Sequence, residues 1–89
     1  MSMIRENVVV KNATGLHARP ASEFVKIASS YPCEIDIDVE GEIVCAKSII
    51  GILSKGISQG TEVGIICDGE NENEALKSLV DFIDSEEIE

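Results

Sequence analysis

A strict two-residue alternation over residues 33–39, "CEIDIDV", is the feature that most constrains the fold of this chain. Cysteine, isoleucine and valine occupy every second position, and acidic residues fall between them. A period of two predicts a β-strand that buries one face and exposes the other to water. Glu40 and Gly41 then make a tight turn into "EIVCA", so the whole segment is predicted to be a β-hairpin.

Apolar residues recur at helical spacing in three other segments. The first covers residues 18–30, the second lies within "KSIIGILSKG", and the third ends near the C-terminus. Ser48 is expected to cap the second helix and Gly56 to end it. Asn71 or Asn73 is expected to cap the third.

The segments "MIRENVVV" and "TEVGIICD" complete the set of predicted strands, and the element order becomes β-α-β-β-α-β-α. Strands with one polar face and helices with one apolar face pack most economically in two layers. We therefore predict an α+β fold, an open-faced sandwich with a four-stranded, mainly antiparallel sheet and three helices on one face. With 89 residues, the chain is expected to form a single domain spanning residues 1–89.

Composition excludes several classes of function. The net charge of −10 opposes nucleic-acid binding, because such affinity depends on contacts between cations and phosphates. The three cysteines are odd in number and lack metal-binding spacing, so we expect buried free thiols in a reducing compartment and no metal site. The segment "MSMIRENVVV" lacks the long apolar region typical of a signal peptide, and no apolar run approaches the roughly 20 residues of a membrane span. The prediction is a cytoplasmic protein without membrane insertion.

The segment "TGLHARPA" contains the only histidine of the chain, His17, where a loop becomes a helix. Pro20 suits the first turn of that helix, which places His17 at or just before the helix N-terminus. The backbone N–H groups of Ala18 and Arg19 then belong to the first turn and have no intrahelical partners. These groups, the helix dipole and the Arg19 guanidinium together suit a phosphate. The same positive helix end is expected to lower the pKa of His17, which would leave a neutral imidazole able to accept a phosphoryl group. The alternative is a histidine that only caps the helix or lies partly exposed.

No nucleotide-binding P-loop is present, so any phosphoryl donor and acceptor must be other proteins. The segment "TGLHARPASEFVKIAS" resembles the active-site signature of HPr, the histidine-containing phosphocarrier family of the bacterial phosphoenolpyruvate-dependent sugar phosphotransferase system. The segment "AKSIIGILSKGISQGTEV" resembles the second signature of that family, which surrounds a regulatory serine. The likeness extends over nearly the whole chain and includes the predicted element order.

The resemblance implies a role for each matching residue. His17 would accept the phosphoryl group from phosphorylated enzyme I and pass it to the IIA domains of sugar permeases, as a covalent relay without a cofactor or turnover of its own. Arg19 and the backbone of Ala18 and Arg19 would stabilise the phosphoryl group. Ser48 would be phosphorylated by HPr kinase/phosphorylase and would then engage a transcriptional regulator. The regulatory paralogue of the family lacks the histidine, which this sequence retains.

The resemblance also implies a docking patch for these partners, which consists of Ile49, Ile50, Leu53 and Lys55. Three apolar residues on so short a helix cannot all point inward, so at least one is expected to be exposed. Lys55 stands where the family has an apolar residue, which predicts more salt-sensitive docking. We expect a monomer. Two other functions remain open, a purely regulatory module acting through Ser48 and a small ligand-binding domain with an incidental histidine.

Overall fold

The computed structural model of the protein describes residues 3–16 and 18–85. Within them the order of elements is the predicted β-α-β-β-α-β-α. The elements are β1 (Met3–Val9), α1 (Ala18–Ser29), β2 (Glu34–Val39), β3 (Glu42–Cys45), α2 (Ile49–Leu53), β4 (Glu62–Asp68) and α3 (Glu72–Asp84).

The four strands form one sheet in the order β1-β4-β2-β3, and all neighbouring strands are antiparallel. The last strand of the chain, β4, therefore lies between β1 and β2. In its register Ile65 is opposite Ile37 and Cys67 is opposite Ile35. This arrangement confirms the predicted fold class and leaves β1 and β3 as the two edge strands.

The alternation in β2 has the predicted consequence. Ile35, Ile37 and Val39 are buried against the helices, whereas Asp36 and Asp38 lie on the open face of the sheet. The turn that follows has positive φ angles at both central residues, 53° and 93°. Two such residues give the turn a twist that matches the twist of the flanking strands, so the predicted hairpin forms.

The three helices cover one face of the sheet. α3 packs on β1 and β4, and α1 contacts both α2 and α3. The rings of Phe24 in α1 and Phe82 in α3 lie 6.3 Å apart between centroids. Each helix buries residues of one face completely, and these are Ala21, Phe24 and Ala28 in α1, Ile52 in α2, and Ala75, Leu79 and Ile83 in α3. None of the described helices combines the length and the apolar character that crossing a bilayer requires.

The expectation of three buried thiols is wrong for Cys45, which is exposed. Cys45 is opposite Asp36 in the β2–β3 register, and paired residues share a face of the sheet. It therefore lies on the open face, whereas Cys33 and Cys67 are buried. Burial raises the pKa of Cys67 to about 12, with further contributions from the neighbouring Cys33 and Glu72, so this thiol stays protonated at neutral pH.

The predicted side-chain cap of α3 is absent as well. Asn71 occupies the N-cap position, but it has a left-handed backbone with a φ of 64° and makes no capping hydrogen bond. In that conformation its carboxamide cannot reach the first turn as an extended cap residue does. The turn is closed instead by Glu72, whose Oε1 accepts a hydrogen bond of 2.8 Å from the backbone N of Gly69.

Candidate functional site

The loop before α1 is held against the loop between α2 and β4. The backbone N of Val10 donates to Thr61 O at 2.9 Å, and Gly60 N donates back to Val10 O at 2.8 Å. Further along, Leu16 N donates to Ile57 O at 2.9 Å. Backbone hydrogen bonds at both ends of the loop therefore fix its course up to the residue before His17.

Gly15 lies at the closest approach of the two loops. Its φ of +70° is in the left-handed region, and a Cβ at this position would lie 2.4 Å from Ile57 O and 2.8 Å from Ser58 Cα. Both neighbours are backbone atoms that cannot move aside. Only glycine therefore fits where residues 10–16, the histidine loop that leads to His17, meet the loop between α2 and β4.

The predicted acceptor, His17, lies outside the described residues, so its role stays a prediction. Its neighbours lie in the loop before α1 and in the first turn of that helix. Leu16 is buried at 1% exposure, and Pro20 is buried in the first turn of α1 as its missing N–H permits. Ala18 and Arg19, the other predicted members of the site, are exposed at the start of the helix.

The electrostatics of this helix start suit an anion. α1 has twelve residues and no acidic side chain in its first turn, so nothing there offsets the positive end of its dipole. The first N–H groups of such a helix have no intrahelical acceptors and can donate to a phosphoryl group. The exposed guanidinium of Arg19 adds a cation at the same helix end. No group of three or more His, Cys, Asp or Glu side chains within residues 3–16 and 18–85 could hold a metal ion.

Ser48 begins α2 as predicted. It has an extended backbone, and its Oγ accepts a hydrogen bond of 3.1 Å from the backbone N of Gly51. Its carbonyl accepts the first hydrogen bond of the helix from Ile52 N. The predicted capping role is therefore confirmed, whereas phosphorylation of this half-buried residue stays a prediction.

The residues of the predicted docking patch are partly exposed, as expected. Ile50 is 78% exposed and Leu53 is 42% exposed, whereas Ile49 packs partly against the core. The Lys55 Nζ forms an ion pair with Glu42 of β3, so the charge of this lysine is already paired within the chain. The Lys55 ammonium lowers the pKa of Glu42 through a hydrogen bond and charge attraction. The sequence predicted Lys55 at the patch but contained no signal for its partner, which lies thirteen residues away.

Sequence reasoning also missed Asn12, which is fully buried inside the histidine loop. An asparagine just before a Thr-Gly pair is a local turn signal, since its side chain can bond to backbone atoms nearby. That signal would have indicated a turn, but not the burial.

The fold and the site together define a small α+β protein in which the start of α1 has electrostatics that suit an anion and α2 is capped and partly exposed. Residues 4–85 match the family model described as "PTS HPr component phosphorylation site", and the chain belongs to this family of phosphocarriers.

Individual relatives support this assignment. The chain is 42% identical to the "HPr-like protein Crh" of Bacillus subtilis, over 94% of this chain and 99% of that protein. Its structure matches the crystal structure of phosphocarrier protein HPr from Bacillus anthracis with a TM-score of 0.90 and 37% identity, covering 93% and 99% of the two chains. It also matches a crystal structure of B. subtilis Crh, described as a catabolite repression protein with a swapped domain in a dimer, with a TM-score of 0.75, 40% identity, and coverage of 97% and 99%.

Proposed function

We propose that this protein accepts a phosphoryl group on His17 from phosphorylated enzyme I and passes it to the IIA domains of sugar permeases. It would do so as one domain spanning residues 1–89, in the cytoplasm with these partners. The observation that carries the proposal is a histidine directly before α1 in a chain of the HPr family. The regulatory paralogue of the family lacks that histidine.

The chemistry required of the site is modest. A neutral imidazole nitrogen of His17 attacks phosphorus, and a P–N bond forms as the bond to the donor atom of enzyme I breaks. The backbone N–H groups of Ala18 and Arg19 and the Arg19 guanidinium stabilise the charge on the phosphoryl oxygens. Leu16 and Pro20, buried on either side of the histidine, support its placement. The reverse process delivers the group to a IIA domain, so the protein is a relay.

The first test is labelling with enzyme I and radioactive phosphoenolpyruvate. We expect His17→Ala to abolish the label because the attacking nitrogen is gone, and Arg19→Ala to slow labelling because the backbone donors remain. The label on wild type should be lost in acid, because the P–N bond of a phosphohistidine is acid-labile. The phosphate ester of a serine would be stable under the same conditions. Circular dichroism should show both variants folded. Label retained in folded His17→Ala would contradict the proposal.

A second candidate function is regulation through Ser48 by HPr kinase/phosphorylase and a transcriptional regulator. Two observations favour it. Ser48 begins α2 directly beside the exposed Ile50, and the matched Crh structure is described as a catabolite repression protein. A phosphate adds up to two negative charges, which a helix N-terminus tolerates but an apolar docking patch does not. The two functions are compatible in one chain.

The regulatory role is tested by two substitutions of Ser48. Ser48→Asp retains an acceptor for Gly51 N, so it should keep the melting temperature within a few degrees and strongly slow the labelling of His17. Ser48→Ala should leave labelling intact and lose about 1 kcal/mol of stability with the cap. If folded Ser48→Asp is labelled at the wild-type rate, Ser48 is only a cap.

A further inference from the structure

Asn12 organises the histidine loop from within. Its side chain is fully buried, and its Nδ2 donates two hydrogen bonds, of 2.9 Å to Gly15 O and 3.1 Å to Thr14 Oγ1. The backbone carbonyl of Asn12 accepts a hydrogen bond of 3.2 Å from Gly15 N. Asn12 is therefore bonded to Gly15 through both its side chain and its backbone, which closes the loop into a tight turn.

The carboxamide of Asn12 is only half satisfied. Its Oδ1 is buried without a hydrogen-bond partner in the part of the chain that the structure describes. A buried acceptor without a partner destabilises a fold, and such groups are rare in native proteins. The unpaired Oδ1 therefore offsets part of the stability that the two donated hydrogen bonds contribute.

The two bonds that Asn12 donates bear on the residues next to the acceptor. Gly15 is pressed against Ile57, and Leu16 follows it with a hydrogen bond to the same carbonyl, Ile57 O. His17 comes next in the chain, directly before α1. The orientation of the Gly15 carbonyl thus sets the direction in which the chain enters the helix start.

We propose that Asn12 is a positioning residue for phosphoryl transfer, which aligns the acceptor residue by holding the Gly15 carbonyl. This inference rests on the proposed phosphocarrier function. Asn12 acts through the backbone of the loop and not on the phosphoryl group itself. Its effect should therefore fall on the rate within the complex with enzyme I, and not on docking, which is assigned to α2.

The experiment measures transfer from phosphorylated enzyme I to wild type, Asn12→Ala and the isosteric Asn12→Asp over a range of carrier concentrations. Both substitutions remove the donor to Gly15 O. A small misplacement of a reacting group can cost up to about a hundredfold in rate, so we expect kcat to fall about tenfold to a hundredfold with KM nearly unchanged. Asn12→Ala should lower the melting temperature by several degrees at most, because the loss of two hydrogen bonds is offset in part by removal of the unpaired Oδ1.

Two further variants serve as controls. Asn73→Ala changes an exposed asparagine in the first turn of α3 and should match wild type. Thr14→Val removes only the second acceptor of Asn12 and should cost less than Asn12→Ala. An equal loss in Thr14→Val would assign the effect to the hydroxyl and overturn the role of the Gly15 carbonyl.

The remaining outcomes separate the two proposals. If wild type is labelled and a folded Asn12 variant reaches the wild-type kcat, the positioning role is wrong and the phosphocarrier function stands. A rise in KM without a fall in kcat would likewise overturn it, as would the failure of both Asn12 variants to fold. If wild type itself takes no label from an active enzyme I, the phosphocarrier function fails, and the role of Asn12 fails with it.

Discussion

At the scale of single residues, the histidine loop is supported mainly by backbone contacts. Gly15 and Leu16 both meet Ile57 O, one by close packing and the other by a hydrogen bond. A side chain at position 15 would have to displace another backbone segment. The course of the histidine loop therefore depends on the absence of a Cβ at Gly15.

This dependence predicts the effect of Gly15→Ala. An alanine with a left-handed backbone costs about 1–2 kcal/mol by itself, and the clash with Ile57 O should roughly double the loss of stability. Phosphoryl transfer should fall as well, because the loop must shift. The control is Gly41→Ala, whose φ of +93° gives comparable backbone strain with open space around the new Cβ. Urea unfolding of both variants checks this, and equal losses would show that the clash is relieved without cost.

At the scale of elements, the Lys55–Glu42 ion pair joins the end of α2 to the edge strand β3. The side chain of Lys55 is only 23% exposed, and its charge, within the predicted docking patch, is already paired with Glu42. A partner protein would meet a neutralised pair and the exposed Ile50 and Leu53. This weakens the case for strongly salt-sensitive docking that the lysine alone suggested.

The ion pair predicts a pH dependence of stability. Because the folded pKa of Glu42 is lowered from 4.5, its contribution is present above that value and is lost as the pH falls through the lowered folded pKa. Glu42→Gln should therefore be less stable than wild type at neutral pH, and the difference should vanish in acid. Urea unfolding at a series of pH values measures it, with Glu40→Gln as an exposed control in the same hairpin. A difference that persists in strong acid would rule out the ion pair as its cause.

At the scale of the whole molecule, the net charge of −10 on 89 residues opposes self-association. Like charges repel over about 10 Å at moderate ionic strength, and salt screens this repulsion. The matched Crh structure is described as a dimer with a swapped domain, so the fold is compatible with dimers. Charge repulsion nevertheless favours the separated state for this chain.

We therefore expect a monomer at low ionic strength, with any dimer favoured as salt is added. Sedimentation velocity at micromolar protein concentrations, in dilute buffer and again in about 1 M salt, measures this directly. A stable dimer in dilute buffer would contradict the expectation. Dimerisation that weakens on adding salt would show that specific ion pairs, and not net charge, control association.

The sequence by itself determined the elements of this protein and their layers. The alternation in β2, the tight turn at Glu40 and Gly41 and the cap at Ser48 are local patterns, and each one formed as predicted. Local patterns are readable because backbone geometry sets their period and because a cap or a turn involves residues only a few positions apart. The two signature segments likewise indicated the family, since each is contiguous in the chain.

Only the tertiary structure decided what meets across the chain. The pairing of Lys55 with Glu42, the exposure of Cys45 and the contact of Gly15 with Ile57 depend on strand register and loop packing. The burial of Asn12 has the same origin. No period or spacing encodes such contacts, because they arise when distant segments are brought together by burial of a shared core. The candidate site was therefore located by the sequence, and its supports were revealed by the fold.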